Sequence, residues 1–197
     1  MAHPIHIVGI GGTLSKTSKS LYALDYALNI AQTEGATITR YSMLDLKLPM
    51  FVPSTPLETQ SSKIQEFVAT MRSADAMIWS TGAYHGTLAG VTKNAIDFME
   101  YLGGGDNPYL HNKVIGLIAT AGGDMAGVNT LGSMVHSVHS LRGIVVPMMV
   151  SIHNAKTVFD AEGNIISSKY EKKLHDLGKL VVEIAQKQHK NVYATTS

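Results

Sequence analysis

Two hydrophobic signatures alternate along the chain: short, nearly unbroken apolar runs, and segments whose apolar residues recur every three or four positions. The run Ile5-His6-Ile7-Val8-Gly9-Ile10 reads as a first strand. Leu21, Leu24, Ala27, Leu28 and Ala31 then follow at helical spacing. Thr37-Ile38-Thr39-Arg40-Tyr41 predicts a second strand, and the stretch from Met43 to Pro56, with three prolines, an ordered loop. Helical periodicity returns at Ile64, Phe67, Val68 and Met71. A third strand, Ala76-Met77-Ile78-Trp79-Ser80-Thr81, ends at Gly82. The spacing predicts a helix from Gly90 to Tyr101, stopped by Gly103-Gly104-Gly105, then a fourth strand from Val114 to Thr120. A helix from Met125 to Leu141, a fifth strand from Ile144 to Val150 and a last helix from Ser168 to Lys187 complete the pattern.

Strands that are apolar along their whole length are covered on both faces, which is the habit of parallel sheets flanked by helices. Right-handed crossovers then give a three-layer, doubly wound α/β fold. Residues 1–190 are expected to form a single domain, with 191–197 as a flexible tail. In such folds ligands sit beyond the carboxyl ends of the strands, where the strand order reverses. The glycine and hydroxyl residues cluster after strands one, three and four, so the site is expected there.

Composition narrows the function classes. Sixteen basic and fifteen acidic residues leave a charge of +1, without the basic clusters that nucleic-acid backbones or membrane surfaces demand. No apolar run approaches the length of a membrane helix. The absence of cysteine excludes disulfides, thiolate ligands and a thiol nucleophile, and fits a cytoplasmic setting. His136 and His139 stand at helical spacing but lack a third ligand placed by sequence, so no metal site is expected. No Gly-x-Ser-x-Gly elbow supports a hydrolase.

Three segments carry chemistry. Gly11-Gly12-Thr13-Leu14-Ser15-Lys16-Thr17-Ser18-Lys19-Ser20 lies between strand one and helix one. A phosphate there would meet helix N-terminal amides and the hydroxyls of Thr13, Ser15, Ser18 and Ser20, more hydroxyls than a helix cap needs. The dinucleotide pattern G-x-G-x-x-G fails, since Leu14 stands where the third glycine should be, and no Gly-Lys-Ser/Thr closes a Walker loop. What remains is a loop suited to one terminal phosphomonoester. The second segment, Thr81 to Asp97, offers glycines for close approach to a planar ring and Tyr84 and His85 to line it. Its Lys93 and Asp97 are four apart on a helix and read as a solvated ion pair unless that helix lies in a subunit interface. The third, Thr120 to Gly127, places Gly122 and Gly123 as a second wall.

At these residues the sequence resembles the NADPH-dependent FMN reductase family of flavodoxin-like proteins. The family's G-S-x-R-x-x-S-x-N loop is matched by Gly12 to Ser20, and its P-x-Y-x-G-x-x-x-G-x-x-K-N-A-x-D segment by Ala83 to Asp97. Its Gly-Gly turn corresponds to Gly122-Gly123. The resemblance implies a five-stranded sheet of order 2-1-3-4-5, FMN as cofactor, NADPH or NADH as electron donor, and a homodimer or homotetramer. It assigns phosphate binding to Thr13, Ser15, Ser18 and Ser20, and ring binding to Ala83, Tyr84, His85, Gly86, Gly122 and Gly123. Ser15, Ser20 and Ala83 stand where the family has Arg, Asn and Pro. Loss of the arginine predicts a weaker grip on the phosphate, only partly restored by Lys16 or Lys19.

The expected activity is hydride transfer from reduced nicotinamide to FMN and onward to a small acceptor such as a quinone. Because the cofactor carries that chemistry, no catalytic acid or base is assigned. An electron-carrying flavodoxin without nicotinamide activity is the alternative, and a charge of +1 is poorly suited to it. A scaffold that kept the fold and lost the flavin is a third reading.

Overall fold

The computed structural model describes residues 4–194, and of residues 190–194 the backbone alone. In chain order the elements are β1 (His6–Gly11), α1 (Lys19–Thr33), β2 (Thr37–Ser42), α2 (Met43–Leu46), α3 (Ser62–Ser73), β3 (Ala76–Tyr84), β4 (Thr87–Leu88) and α4 (Gly90–Asp97). They continue with β5 (Val114–Thr120), α5 (Asp124–Ser140), β6 (Ile144–Val145), β7 (Val150–Ile152) and α6 (Ser168–Ala194). Within the segment expected as loop, Met43–Leu46 closes one helical turn. The expected helix from Gly90 leaves α geometry at Asp97 and ends as a 3₁₀ turn, Phe98–Leu102. The final helix runs beyond Lys187 to Ala194, and residues 195–197 of the expected tail lie outside the described residues.

The central sheet has the order β2-β1-β3-β5-β6, with β7 also paired to β5 and β4 attached antiparallel to the end of β3. Five parallel positions are therefore filled in the order the family resemblance implied, by six strands, with β4 the seventh and antiparallel. The fifth position is split in two. Val114 and Ile115 pair with Ile144 and Val145, whereas Ile118 pairs with Val150, so residues 146–149 bulge out opposite 116–117. Pro147 falls in that bulge, where its missing N–H costs the ladder nothing.

Each face of the sheet has its own core. Helices α1 and α6 cover one face, where Leu24, Ala27 and Leu28 meet Leu174, Leu177 and Val181 around Ile7, Ile78 and Val114. The helices approach closely: a Cβ on Gly178 of α6 would stand 2.5 Å from the carbonyl oxygen of Ala27 on α1. Helices α2 to α5 cover the other face, with Phe67, Met71, Phe98, Leu131 and Met134 over Val8, Ile10, Met77, Trp79 and Leu117. Trp79, in register with Ile10 and Leu117, is fully buried, and its indole N–H has no hydrogen-bond partner. Two covered faces leave the strand ends as the place for chemistry. The β1–α1, β3–β4 and β5–α5 connections emerge side by side at the carboxyl end.

Candidate functional site

The loop between β1 and α1 is a chain of hydroxyls. The Ser15 amide donates to Thr13 Oγ1 at 3.2 Å, Thr13 Oγ1 lies 3.5 Å from Ser18 Oγ, and Ser18 Oγ lies 3.0 Å from Ser20 Oγ. All four residues expected to grip phosphate therefore belong to one connected cluster. Thr13, Ser18 and Ser20 are buried, and Ser15 is exposed at the rim. The amides of Thr13 and Thr17 also point at hydroxyls, Ser18 Oγ at 3.0 Å and Ser15 Oγ at 3.3 Å. These N–H groups, with the orphan amides of the first turn of α1, make a donor set of the kind that suits an anion. Of the two lysines, Lys19 is turned away: its ammonium donates to the carbonyl of Asp160 at 3.0 Å and stands over the Tyr22 ring. Lys16 remains exposed on the loop.

The second segment is a hairpin. β3 runs on past the expected Thr81 to Tyr84, pairs with Thr87, and turns through His85 (φ 51°) and Gly86 (φ 85°). Two successive positive φ angles make the mirror-image turn that matches strand twist; glycine adopts it freely, but His85 must be held there by the turn. Below the tip the hairpin is pinned. Thr81 Oγ1 accepts the Ala89 amide at 3.1 Å and lies 2.9 Å from Thr92 Oγ1, both hydroxyls buried. Tyr84 itself is 53% exposed. The hairpin and the hydroxyl loop touch, since a Cβ on Gly82 would stand 3.2 Å from the methyl of Thr13.

In the third segment Gly123 caps α5, and a Cβ on either Gly122 or Gly123 would meet nothing within 4 Å. Its root is stitched to the following strand: the Ala121 amide donates to Ile152 at 2.8 Å, and the Ala155 amide to Ala121 at 3.2 Å. Asp124, exposed at the start of α5, lies 3.7 Å from Nδ1 of His153, whose ring is 3.0 Å from the Tyr170 hydroxyl. Burial raises the Tyr170 phenol above its ordinary range, and the Asp124 charge adds to the rise.

The residues present fit a phosphorylated planar cofactor such as FMN. A cluster of amides and hydroxyls suits the phosphate, and two glycine-lined tips with open space above them suit a ring. The sequence did not signal the polar pins that hold these tips, because Thr81, Thr92 and Ile152 are individually unremarkable strand and helix residues. Asn94 was likewise visible only as part of a motif. It is 6% exposed, its carbonyl accepts the Phe51 amide at 2.9 Å, and its amide donates to the Pro49 carbonyl at 2.7 Å. Lys93 and Asp97 form the expected ion pair, about half-exposed. His136 and His139 stand exposed on α5, and among the described residues no group of three His, Cys, Asp or Glu is placed to hold a metal ion. No helix among the described residues is long and apolar enough to cross a membrane.

Comparison with known proteins agrees with this geometry. An FMN-dependent NADPH-azoreductase of Staphylococcus haemolyticus is 30% identical over 106 residues, 53% of each chain. An NADPH azoreductase of a Bacillus species is 25% identical over 144 residues, covering 73% of this chain and 74% of its own. The match thus spans about half of the staphylococcal relative and about three quarters of the Bacillus one. Among solved structures, RosB with a bound 8-demethyl-8-formylriboflavin-5′-phosphate superposes with a TM-score of 0.77 over 94% of this chain and 81% of that one, at 14% identity. A flavodoxin from the domain Archaea superposes less closely, at 0.60 over 92% and 99%, with 9% identity. The sequence pattern of NADPH-dependent FMN reductases matches residues 5–157. Over three quarters of its length, and through all three loops of the site, the chain belongs to the NADPH-dependent FMN reductase family of flavodoxin-like oxidoreductases.

Proposed function

We propose that the chain binds FMN across the three loops, takes reducing equivalents from NAD(P)H and delivers them to a small aromatic acceptor of the quinone or azo type. The observation that carries this reading is the convergence of a hydroxyl-and-amide cluster with two open glycine tips at one end of the sheet. When bound, FMN supplies the hydride-accepting ring and returns the electrons to the acceptor.

The chain's own residues bind, aim and shield. Thr13, Ser15, Ser18 and Ser20, with the amides of the α1 terminus, neutralise and orient the phosphate. The backbone of Ala83, Tyr84, His85 and Gly86 would form one wall of the ring site, and that of Gly122 and Gly123 the other. The pins from Thr81 to Thr92 and from Ala121 to Ile152 hold each wall at its root, and the Thr120 hydroxyl donates across to the Thr81 carbonyl at 3.3 Å, so ordering entropy is spent in folding instead of in binding. Exposed Tyr84 offers an aromatic face that excludes water. The exposed Met125 and Val128 on α5 support a homodimer that closes over the site. A cytoplasmic setting follows from the demand for reduced nicotinamide.

The test is anaerobic. FMN is added to the purified chain, and visible flavin absorbance is followed as NADPH is introduced. Protein-dependent bleaching within seconds is the expected result. A bound flavin that stays yellow would make the chain a carrier, and failure to bind FMN would leave the fold without this activity.

A further inference from the structure

A cavity of about 340 Å³ opens at the amino end of the sheet, opposite the three loops. Ala74 and Asp75 on its wall immediately precede β3, and Lys113 immediately precedes β5; the two strands pair in parallel from Ala76 and Val114 onward. The nine residues of β3 set it roughly 25 Å from the hairpin tip. Arg72 in the last turn of α3, the connection that carries Asn107 and Asn112, and Gln188 of α6 complete the wall. Apart from Ala74, Leu102 and Ala185, every lining side chain carries a polar group. The connection into β5 is bent to present them. Tyr109 (φ 60°) and Asn112 (φ 63°) both line the cavity and both take the left-handed backbone, uncommon for a bulky aromatic, although Gly103, Gly104 and Gly105 stand close upstream. The Asn112 side-chain carbonyl accepts from the Gln188 amide at 3.4 Å and ties the connection to α6. Strain gathered on residues that line a polar cavity points to a site rather than to a packing gap.

The charges on the wall are mostly positive. Half-buried Lys113 donates to the carbonyls of Arg72, at 2.8 Å, and Ala74, which uses two of the three N–H groups of its ammonium. Exposed Arg72 spends one of its five on the Tyr101 carbonyl at 2.6 Å. The carboxylate that lines the cavity, Asp75, already accepts the His6 amide at 2.8 Å and stands 3.6 Å from Nδ1 of His189. Burial pulls the Lys113 ammonium below its ordinary range; Asp75 opposes the fall and the Arg72 charge adds to it, so the two cations feel each other. A doubly charged anion set between them would relieve that repulsion. We propose that this cavity is a second ligand site, which takes a small phosphorylated polyol such as a sugar phosphate, with the phosphate on Arg72 and Lys113 and the hydroxyls on the side-chain amides of Asn107, Asn112 and Gln188. The volume, at the lower end of ligand-pocket sizes, suits a ligand of that kind, whereas an apolar ring would leave the same donors unpaired. The site is independent of flavin binding, since the length of β3 lies between the two.

The test is amide-resolved NMR on the isotope-labelled full chain, titrated separately with ribose 5-phosphate, ribose and malate. Ribose 5-phosphate is expected to move the amides of residues 72–75 and 107–113 in a saturable way, and ribose to leave them in place. Arg72→Gln removes the exposed cation and should weaken the titration roughly tenfold. If that change disturbs the hold on the Tyr101 carbonyl, Asn112→Asp makes the same test: it keeps the side chain's shape, the left-handed backbone and the acceptor for Gln188, and adds a negative charge to the wall. It too should weaken ribose 5-phosphate roughly tenfold while FMN binding at the far end of the sheet is unmoved. Shifts confined to residues 12–20 would put the phosphate on the hydroxyl loop and overturn the second site. Malate moving the same amides at the same concentrations would overturn the assignment to a phosphate, and a titration unchanged in both variants would overturn the roles given to this wall.

Discussion

The hydroxyl loop after β1 and the two tips after β3 and β5 are built in opposite ways. In the first, the groups that would face a ligand hold one another: amides of Thr13, Ser15 and Thr17 point at hydroxyls of the same loop. At the tips, hydrogen bonds stop at the roots, and the glycines above them face open space. A phosphate is small, charged and always the same shape, so a self-bonded cradle that swaps internal partners for phosphate oxygens pays little reorganisation. A ring that must be met by donor and acceptor in turn needs a fixed floor and an open top. The lesson is that order is concentrated where the ligand is invariant.

The largest break of this comparison comes from the floor itself. Gly11→Val would drive a side chain toward the Ser80 carbonyl, 2.8 Å from the Cβ position. It should cost about 3 kcal/mol of stability, read from urea unfolding; near-wild-type stability would mean that α1 and β3 yield easily. At the tips the contrast is direct. A Cβ at Gly122 would meet no protein atom within 4 Å, so Gly122→Ala should leave unfolding nearly unchanged while FMN affinity falls roughly tenfold, read by flavin fluorescence. If affinity held, the ring would lie elsewhere. Ser18→Ala strips the acceptor from the Thr13 amide in the self-bonded loop. Both measurements should then move together, about 1–2 kcal/mol in stability and a comparable loss in FMN binding. A loss in binding alone would show that the loop is not internally held. The smallest effect is expected at Lys93→Ala, within about 0.5 kcal/mol of monomer stability for an exposed pair. Sedimentation that shifts to a lighter species would relocate the pair to a subunit interface.

Much of the architecture was legible because it is written in periodicity. The apolar runs of β1, β3 and β5 and the stripes of α1, α3 and α6 lie where their patterns predict, and the strand order is the one the family resemblance implied. The fifth strand was harder. Its hydrophobic run continues through Pro147, and only the register jump from Ile115–Val145 to Ile118–Val150 splits it. The hydroxyl cluster was visible as composition, yet nothing in the spacing showed that Lys19 is diverted to Asp160, 141 positions away. The same holds for Asn94 and the loop it clamps, and for His153 beside Asp124. Long-range partners of polar side chains leave no periodic trace, so this layer of the site emerges only from the fold.

Trp79 gives the molecule a built-in light source. It is the only tryptophan of the chain, sealed in the middle of the sheet three residues before Gly82 and beneath the hairpin tip. Its emission reports on the core's dryness without interference from any second indole, and a flavin seated above would absorb in the region where a buried indole emits. One excitation wavelength would then follow two events in the same sample: loss of the core as the chain unfolds, and arrival of a yellow acceptor dipole at its carboxyl edge.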